Sequence, residues 1–246
     1  MSAYVPFLVL GLTETALAGL SPPLVAVPLL WAGLATTYVS AAYFLKKPHM
    51  LGKMGGSRVS TAALLPYHAF VRGTAVATQR FFLQQRAEVV PGLWVGSWPR
   101  GGAPDHAQLD VTAELPRRGE ALRYHCVPML DGAAAHPEHL EQAVLQAVRW
   151  RAEGLPVLVH CAHGRGRSVA VVCGVLMAEG RADNWQFAYE IVRQARPAAH
   201  LTRAQQRMLY EASPRLLGLR SVDSASPAAA GSPTAAAGPS GPTRSS

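Results

Sequence analysis

At 246 residues, with 49% hydrophobic and only 15% charged side chains, the chain holds one domain of ordinary size plus extras and is apolar for a soluble protein. Three cysteines, Cys126, Cys161 and Cys173, make no C-x-x-C pair and no His/Cys cluster at zinc spacing, which argues against a disulfide scaffold and for a reducing compartment. The formal net charge is +8, and seven basic residues with no acidic partner fall between Lys46 and Ala87, just after an apolar front end; that placement favours a membrane surface over nucleic acid, each basic residue near anionic lipid being worth about 1 kcal/mol.

Two apolar blocks open the chain. Val5–Leu20 is short for a membrane span and contains Glu14, the one charged side chain before Lys46. Pro22 and Pro23 separate it from Leu24–Leu45, because proline cannot continue a helix. As a helix the second block rises roughly 33 Å, enough for a bilayer core. Pro28 inside it is tolerated in membrane helices, and Trp31, Tyr38 and Tyr43 suit the interfaces. A membrane anchor of one or two spans is therefore expected over residues 1–45. A cleaved signal or transit peptide is the first alternative: Ala16–Leu17–Ala18 resembles a cleavage site, but a basic n-region is missing and Glu14 interrupts the apolar run. A buried soluble helix pair is the second. The basic residues after Leu45 place that side in the cytosol by the positive-inside rule. Residues 46–88 then form a basic juxtamembrane segment, with Thr61–Ala87 as an interfacial or linker helix.

From Val89 the pattern changes. Leu93–Val95, Leu109–Thr112 and Leu122–Met129 are strand candidates, the last ended by Leu130–Asp131–Gly132. Pro137–Arg151 spaces Leu140, Val144, Leu145 and Val148 on one helical face, and Gly154 ends it. Val157–Val159 is a short apolar run, fit for a buried parallel strand. Ser168–Ala178 is apolar on most faces and predicts a buried helix; Trp185–Arg193 and Thr202–Ala212 predict two amphipathic ones, with Thr202 as N-cap of the last. Strands alternating with helices indicate α/β architecture with a central, mostly parallel sheet flanked by helices. Residues 214–246 repeat Pro, Ala, Gly and Ser and are expected to be a disordered tail.

The chemistry concentrates at His160–Cys161–Ala162–His163–Gly164–Arg165–Gly166–Arg167–Ser168, between the last strand candidate and a helix. Ligands of α/β sheets bind beyond the carboxyl ends of strands. A helix N-terminus offers free N–H groups and the positive dipole end to an anion. Gly164 and Gly166 allow successive N–H groups to turn inward as a nest, and Arg167 can fork onto two phosphate oxygens. Such a field favours thiolate over thiol, and a thiolate beneath a bound phosphate is a nucleophile aimed at phosphorus. The loop is not a Walker A motif: Cys161 stands where its first glycine would be and Arg167 where its lysine would be.

His160 to Ser168 resembles the H-C-x5-R-[ST] signature of cysteine-based protein tyrosine phosphatases. The chain is most similar to the compact dual-specificity branch, in its membrane-anchored form, over about Val89 to Glu211. The resemblance implies a catalytic domain at 89–213 in which Cys161 becomes phosphocysteine. It implies that the amides of Ala162, His163, Gly164, Arg165, Gly166 and Arg167, with the Arg167 guanidinium, hold the phosphate oxygens. It further implies that His160 orients the loop, that Ser168 donates to the thiolate, and that neither metal nor cofactor is required. A general acid is expected on a loop about thirty residues before the cysteine, and Asp131 stands thirty positions before Cys161. The plain alternative for Asp131 is a turn cap with Gly132; Asp105 and Asp110 are poorer candidates. His163 and Arg165 occupy variable positions of the loop. Phosphoinositide 3-phosphatases carry a basic residue at the position of Arg165 and another directly after the cysteine, where this chain has Ala162. A rhodanese-like sulfurtransferase lacks both the His before Cys and the Arg-Ser after it. Expected substrates are phosphotyrosine and phosphoserine/threonine proteins, with a membrane phospholipid as the alternative and a non-catalytic phosphate-binding module as the third reading. Cys126 and Cys173 are expected to be core residues.

Overall fold

The computed structural model describes residues 3–54, 58–59, 62–81 and 85–219. The expected tail beyond residue 219 lies outside them. The chain opens with an antiparallel helix pair, α1 (Tyr4–Gly19) and α2 (Pro23–Phe44). Pro22 and Pro23 make the break because Pro22 takes an extended conformation and Pro23 starts α2, where its missing N–H costs nothing. The pair is close-packed through glycine: a Cβ on Gly11 would lie 2.4 Å from Thr37 Oγ1, and one on Gly33 would lie 2.4 Å from Thr15 Oγ1. Small residues at such a crossing are what lets two helices approach without large side chains between them.

Exposed apolar side chains run the length of the pair: Leu17, Leu20, Leu24 and Val27 near the connection, Leu12 and Leu34 midway, Phe44 and Leu45 at the base. At the base, Ala35, Val39, Ala42 and Tyr43 join Leu51, Leu64 and Tyr67 in an apolar cluster that also includes Ala113 and Leu130 of the α/β unit. Among the described residues, one helix, Pro23–Phe44, is long and apolar enough to cross a membrane by length and composition; α1, with 16 residues, is shorter.

The expected helical segment at 46–88 is composite instead. A 3-10 turn at Pro48–Leu51 leads into a small antiparallel ribbon, β1 (Lys53–Met54) with β2 (Arg58–Val59). Helix α3 (Leu65–Phe81) follows a second 3-10 turn, and β3 (Arg86–Val90) begins before residue 88. Lys53, expected at a lipid surface, is buried: its Nζ lies 2.5 Å from Asp110 Oδ2 and 2.8 Å from Thr112 Oγ1. The sequence could not show this, because the partner acid lies 57 positions away. Strand β3 escaped for a different reason: Pro91–Gly92, with Gly92 at φ +75°, is a hairpin turn joining it to β4 (Leu93–Gly96), and the basic flank masked that signal.

A five-stranded sheet forms the centre, in the order β3-β4-β7-β5-β6, with β5 (Gly102–Thr112), β6 (Glu120–Met129) and β7 (Val157–His160). The β3–β4 pairing is antiparallel and the other three are parallel, so the expected mostly parallel sheet is present as a mixed one. Helices α4 (Pro137–Ala152), α5 (Arg167–Ala178), α6 (Trp185–Ala195) and α7 (Arg203–Gly218) follow in chain order. Helix α5 is buried throughout, as its all-round apolar pattern requires. Helix α7 continues past Ala212 through Pro214 to Gly218, and buried Leu216 supplies the packing that offsets the proline. Residues 214–218, expected in the tail, are therefore helical.

Strand alternation assigns the two faces of β5. Ala107, Leu109 and Val111 enter the main core with α4 and α5. Gln108, Asp110 and Thr112 face the other way and are also buried. There Asp110 receives Lys53, the Tyr124 hydroxyl at 2.8 Å and the Thr112 amide at 2.8 Å. Burial pushes the Asp110 carboxyl toward its neutral acid, but the Lys53 ammonium and His160 outweigh it and hold the carboxyl below its usual range.

Candidate active site

Strand β7 is buried along its whole length between β4 and β5, so it delivers Cys161 to the carboxyl edge of the sheet at a fixed position. The loop then turns through Gly164, which has φ +66°. A Cβ there would lie 2.5 Å from the carbonyl carbon of Gly96, so both backbone angle and space demand glycine. Gly166 caps α5 with no side-chain acceptor, which leaves the first amides of α5 for a ligand.

Cys161 is 2% exposed at the base of this turn. Its Sγ accepts the Gly164 N–H at 3.2 Å and lies 3.4 Å from Ser168 Oγ. Both groups can donate to a thiolate. A cavity of about 350 Å³ opens above it, lined by Asp131, Gly132, Cys161, His163, Arg165, Gly166, His200, Thr202 and Gln205. The other two thiols are different. Burial pushes Cys126 up to about 12 and Cys173 higher still. Iodoacetamide at neutral pH is accordingly expected to label Cys161 and to spare Cys126 and Cys173, as read by peptide mass spectrometry. Comparable labelling of Cys126 would contradict this assignment.

Arg167 is the largest buried charge of the site, 2% exposed. Its Nη2 and Nη1 donate to Glu114 Oε1 and Oε2 at 2.7 and 2.9 Å, and Nη1 also donates to the Met129 carbonyl at 2.9 Å. Its Nε lies 3.1 Å from Asp131 Oδ1. Burial opposes the charge, but Asp131 and Glu114 more than compensate and hold Arg167 well above its ordinary value. The guanidinium is thus permanently charged and aimed by a bidentate clamp. Asp131 follows β6 and Gly132 takes φ +67°; its side chain is about half exposed at the cavity rim. The loop containing it is tied to α7, because Thr202 Oγ1 donates to the Gly132 carbonyl at 3.3 Å.

The loop carbonyls have their own restraint. Arg196, after α6, donates from Nε to Gly164 O at 2.6 Å and from Nη2 to His163 O at 3.1 Å. With the carbonyls drawn outward, the loop amides are left to face the cavity. Arg165 is held by the same segment, its Nε donating to Ala198 O at 3.1 Å. His163 lines the cavity, and burial lowers its pKa, which favours the neutral ring. His160 is fully buried opposite Asp110 on the neighbouring strand, and burial lowers its pKa as well. The structure therefore brings Cys161, Asp131, His163, Arg165 and Gly166 around one cavity, with Ser168 buried beside Cys161, Arg167 buried beside Asp131, His160 behind the loop, and Ala162 and Gly164 in the turn. Sequence reasoning missed Glu114, Arg196 and Gln205. The clamp on Arg167 spans 53 positions and the Arg196 restraint spans 32. Gln205 carried a local signal: it closes a capping box with Thr202, and a Cβ on Gly166 would lie 2.9 Å from its Nε2.

Comparison with known proteins gives a consistent result. Residues 93–215 match the family described as dual specificity phosphatase, catalytic domain. Dual specificity protein phosphatase 12 of Mus musculus is 32% identical over 163 residues, covering 59% of this chain and 47% of that protein. Dual specificity protein phosphatase 22 of Mus musculus is 29% identical over 135 residues, covering 51% of this chain and 72% of that protein. The chain spans about half the length of the first of these relatives. Among solved structures, human DUSP28 aligns at 24% identity with a TM-score of 0.48, over 54% of this chain and 98% of that one.

Proposed function

Since the chain belongs to the dual specificity phosphatase family, we propose that it is a cysteine-dependent phosphatase that hydrolyses phosphotyrosine and phosphoserine/threonine in proteins through a phosphocysteine on Cys161. The observation that carries this reading is the Cys161 sulfur, held by the Gly164 N–H and Ser168 at the floor of a cavity whose rim residue Asp131 stands 3.1 Å from the buried, clamped Arg167. In the first step the thiolate attacks phosphorus, the ester P–O bond breaks, and Asp131 gives its proton to the leaving oxygen. The loop amides and Arg167 hold the three equatorial oxygens, a positioning-plus-charge strategy that requires no metal. In the second step Asp131 takes a proton from water, water attacks phosphorus, and the P–S bond breaks. Ser168 Oγ donates to the departing sulfur and returns the thiolate.

Replacing Asp131 by Asn is expected to lower kcat/KM by roughly 10²–10³-fold with a poor leaving group, and less with a good one. Steady-state kinetics with a series of aryl phosphates checks this, and equal losses for poor and good leaving groups would remove Asp131 from this role.

The front end supports a membrane-anchored enzyme with its catalytic unit on the cytosolic side. Exposed apolar residues run along the helix pair from Leu20 and Leu24 at its connection to Phe44 and Leu45 at its base, and Lys46 and Lys47 follow. Full-length protein should float with vesicles of phosphatidylcholine and phosphatidylglycerol and stay bound in about 1 M NaCl, where the Debye length is only ~3 Å. Release by salt would favour surface attraction alone. A lipid phosphate ester is the second reading, favoured by one contact: Leu130, next to Asp131, packs in the cluster at the base of the pair. A panel of phosphopeptides, phosphoinositides and phosphatidylglycerophosphate on the full-length enzyme separates the two. Peptide turnover far above lipid turnover supports the protein reading, and the reverse order replaces it.

A further inference from the structure

The matched domain begins at residue 93, yet a buried side chain from well before it reaches the strand that leads into the active site. Lys53, on β1, places its ammonium between Asp110 Oδ2 and Thr112 Oγ1, and neither charged partner of this ion pair has any exposed side-chain surface. From there the contacts run without a gap. Thr112 donates its N–H and its hydroxyl to Asp110 Oδ1, at 2.8 and 2.7 Å. Two residues on, Glu114 is 2% exposed and takes the Ala113 N–H on Oε2 at 2.9 Å. The same carboxylate clamps both terminal nitrogens of Arg167. We propose that Lys53 is a positioning residue for the reaction: acting through Asp110, Thr112 and Glu114, it aims the Arg167 guanidinium at the phosphate, so the working catalytic unit includes β1. This rests on the phosphatase reading of the cavity.

The physical reason is the cost of an unpaired buried charge. Asp110 already has Thr112 and Tyr124 as donors, but among the described residues its ion-pair partner is Lys53. Without that cation the carboxylate must protonate or draw another donor, and Thr112 is the nearest one bound to it. Any shift of Thr112 moves the Ala113–Glu114 turn. Arg167, with no room to follow, then loses its bidentate geometry.

The test uses full-length protein in detergent and follows tungstate, a phosphate-like oxyanion, by calorimetry and by competitive inhibition. Lys53→Met is expected to weaken tungstate binding and kcat/KM by about tenfold or more. In a Glu114→Gln background the same change should add less than about threefold, because the route through Glu114 is already cut. Lys53→Met combined with Asp110→Asn removes both buried charges. It should recover the thermal stability lost in the single variant but only part of the tungstate affinity, since the unpaired charge is gone while the bond to Thr112 Oγ1 stays absent. If Lys53→Met alone does not fold, this double variant carries the comparison in both backgrounds. Wild-type tungstate affinity in the folded double variant, or equal losses with and without Glu114, overturns the proposal and leaves Lys53 a structural charge only. Wild-type protein that fails to bind tungstate overturns the phosphatase reading, and this inference with it.

Discussion

Cys161→Ser is expected to lower phosphomonoester turnover by at least ~10⁴-fold, as loss of the nucleophile does in other covalent catalysts, while tungstate binding stays within about threefold. The two halves of this result have separate causes. Serine keeps nearly the shape of cysteine but is not ionised at neutral pH, so the attacking charge is lost. The cradle does not depend on sulfur. Gly164 is set by its own φ of +66° and its contact with Gly96, Arg167 by Glu114, and the loop carbonyls by Arg196. Steady-state turnover of an aryl phosphate, read beside calorimetric tungstate binding, checks both halves. Loss of turnover together with loss of binding would mean that the substitution had collapsed the loop.

The second large effect falls on a residue outside the loop. Glu114→Ala leaves the buried Arg167 guanidinium with the Met129 carbonyl and a rim carboxylate as its remaining partners. Breaking one side of a buried pair typically costs about 3–5 kcal/mol, which for a chain of this size corresponds to a fall in Tm of roughly 10 °C. The exposed pair Arg207–Glu211, with side chains 81% and 52% exposed, offers the contrast. Glu211→Ala should shift Tm by no more than about 1–2 °C. Thermal denaturation of the two variants side by side measures the difference, and equal shifts would contradict the buried clamp.

What could be seen in the sequence followed the range over which the determining contacts act. The loop from His160 to Ser168 was legible because its parts are neighbours in the chain: a buried strand, two glycines, an arginine, a helix start. Asp131 stood out through the resemblance, which implies an acid about thirty residues before the cysteine, and the structure places it at the cavity rim. Helices α4 to α7 announced themselves through apolar spacing and, for α7, through the Thr202 cap. The supports of the site did not. Glu114 stands in LDVTAELP as one more polar residue after a strand, and nothing local says that it faces Arg167. Arg196 lies before a proline, two alanines and a histidine, with no sign that it would hold the Gly164 carbonyl. Lys53 was counted among basic residues at a membrane surface, yet it is sealed against Asp110. In each case the residue's meaning comes from a partner brought close by the sheet, at a sequence separation that composition and periodicity do not report. The same holds for the helix pair. Apolar content predicted its two helices, but the packing of Tyr43 and Val39 beside Leu130 and Ala113 appears only once the sheet is built.

The central claim is a phosphoryl group carried on one sulfur. Full-length enzyme turning over a labelled aryl phosphate, quenched in acid within a single turnover and digested for mass spectrometry, should show the label on the peptide containing Cys161, with none on Cys126 or Cys173. Turnover with no phosphorylated Cys161, or with the label on another residue, would contradict the account.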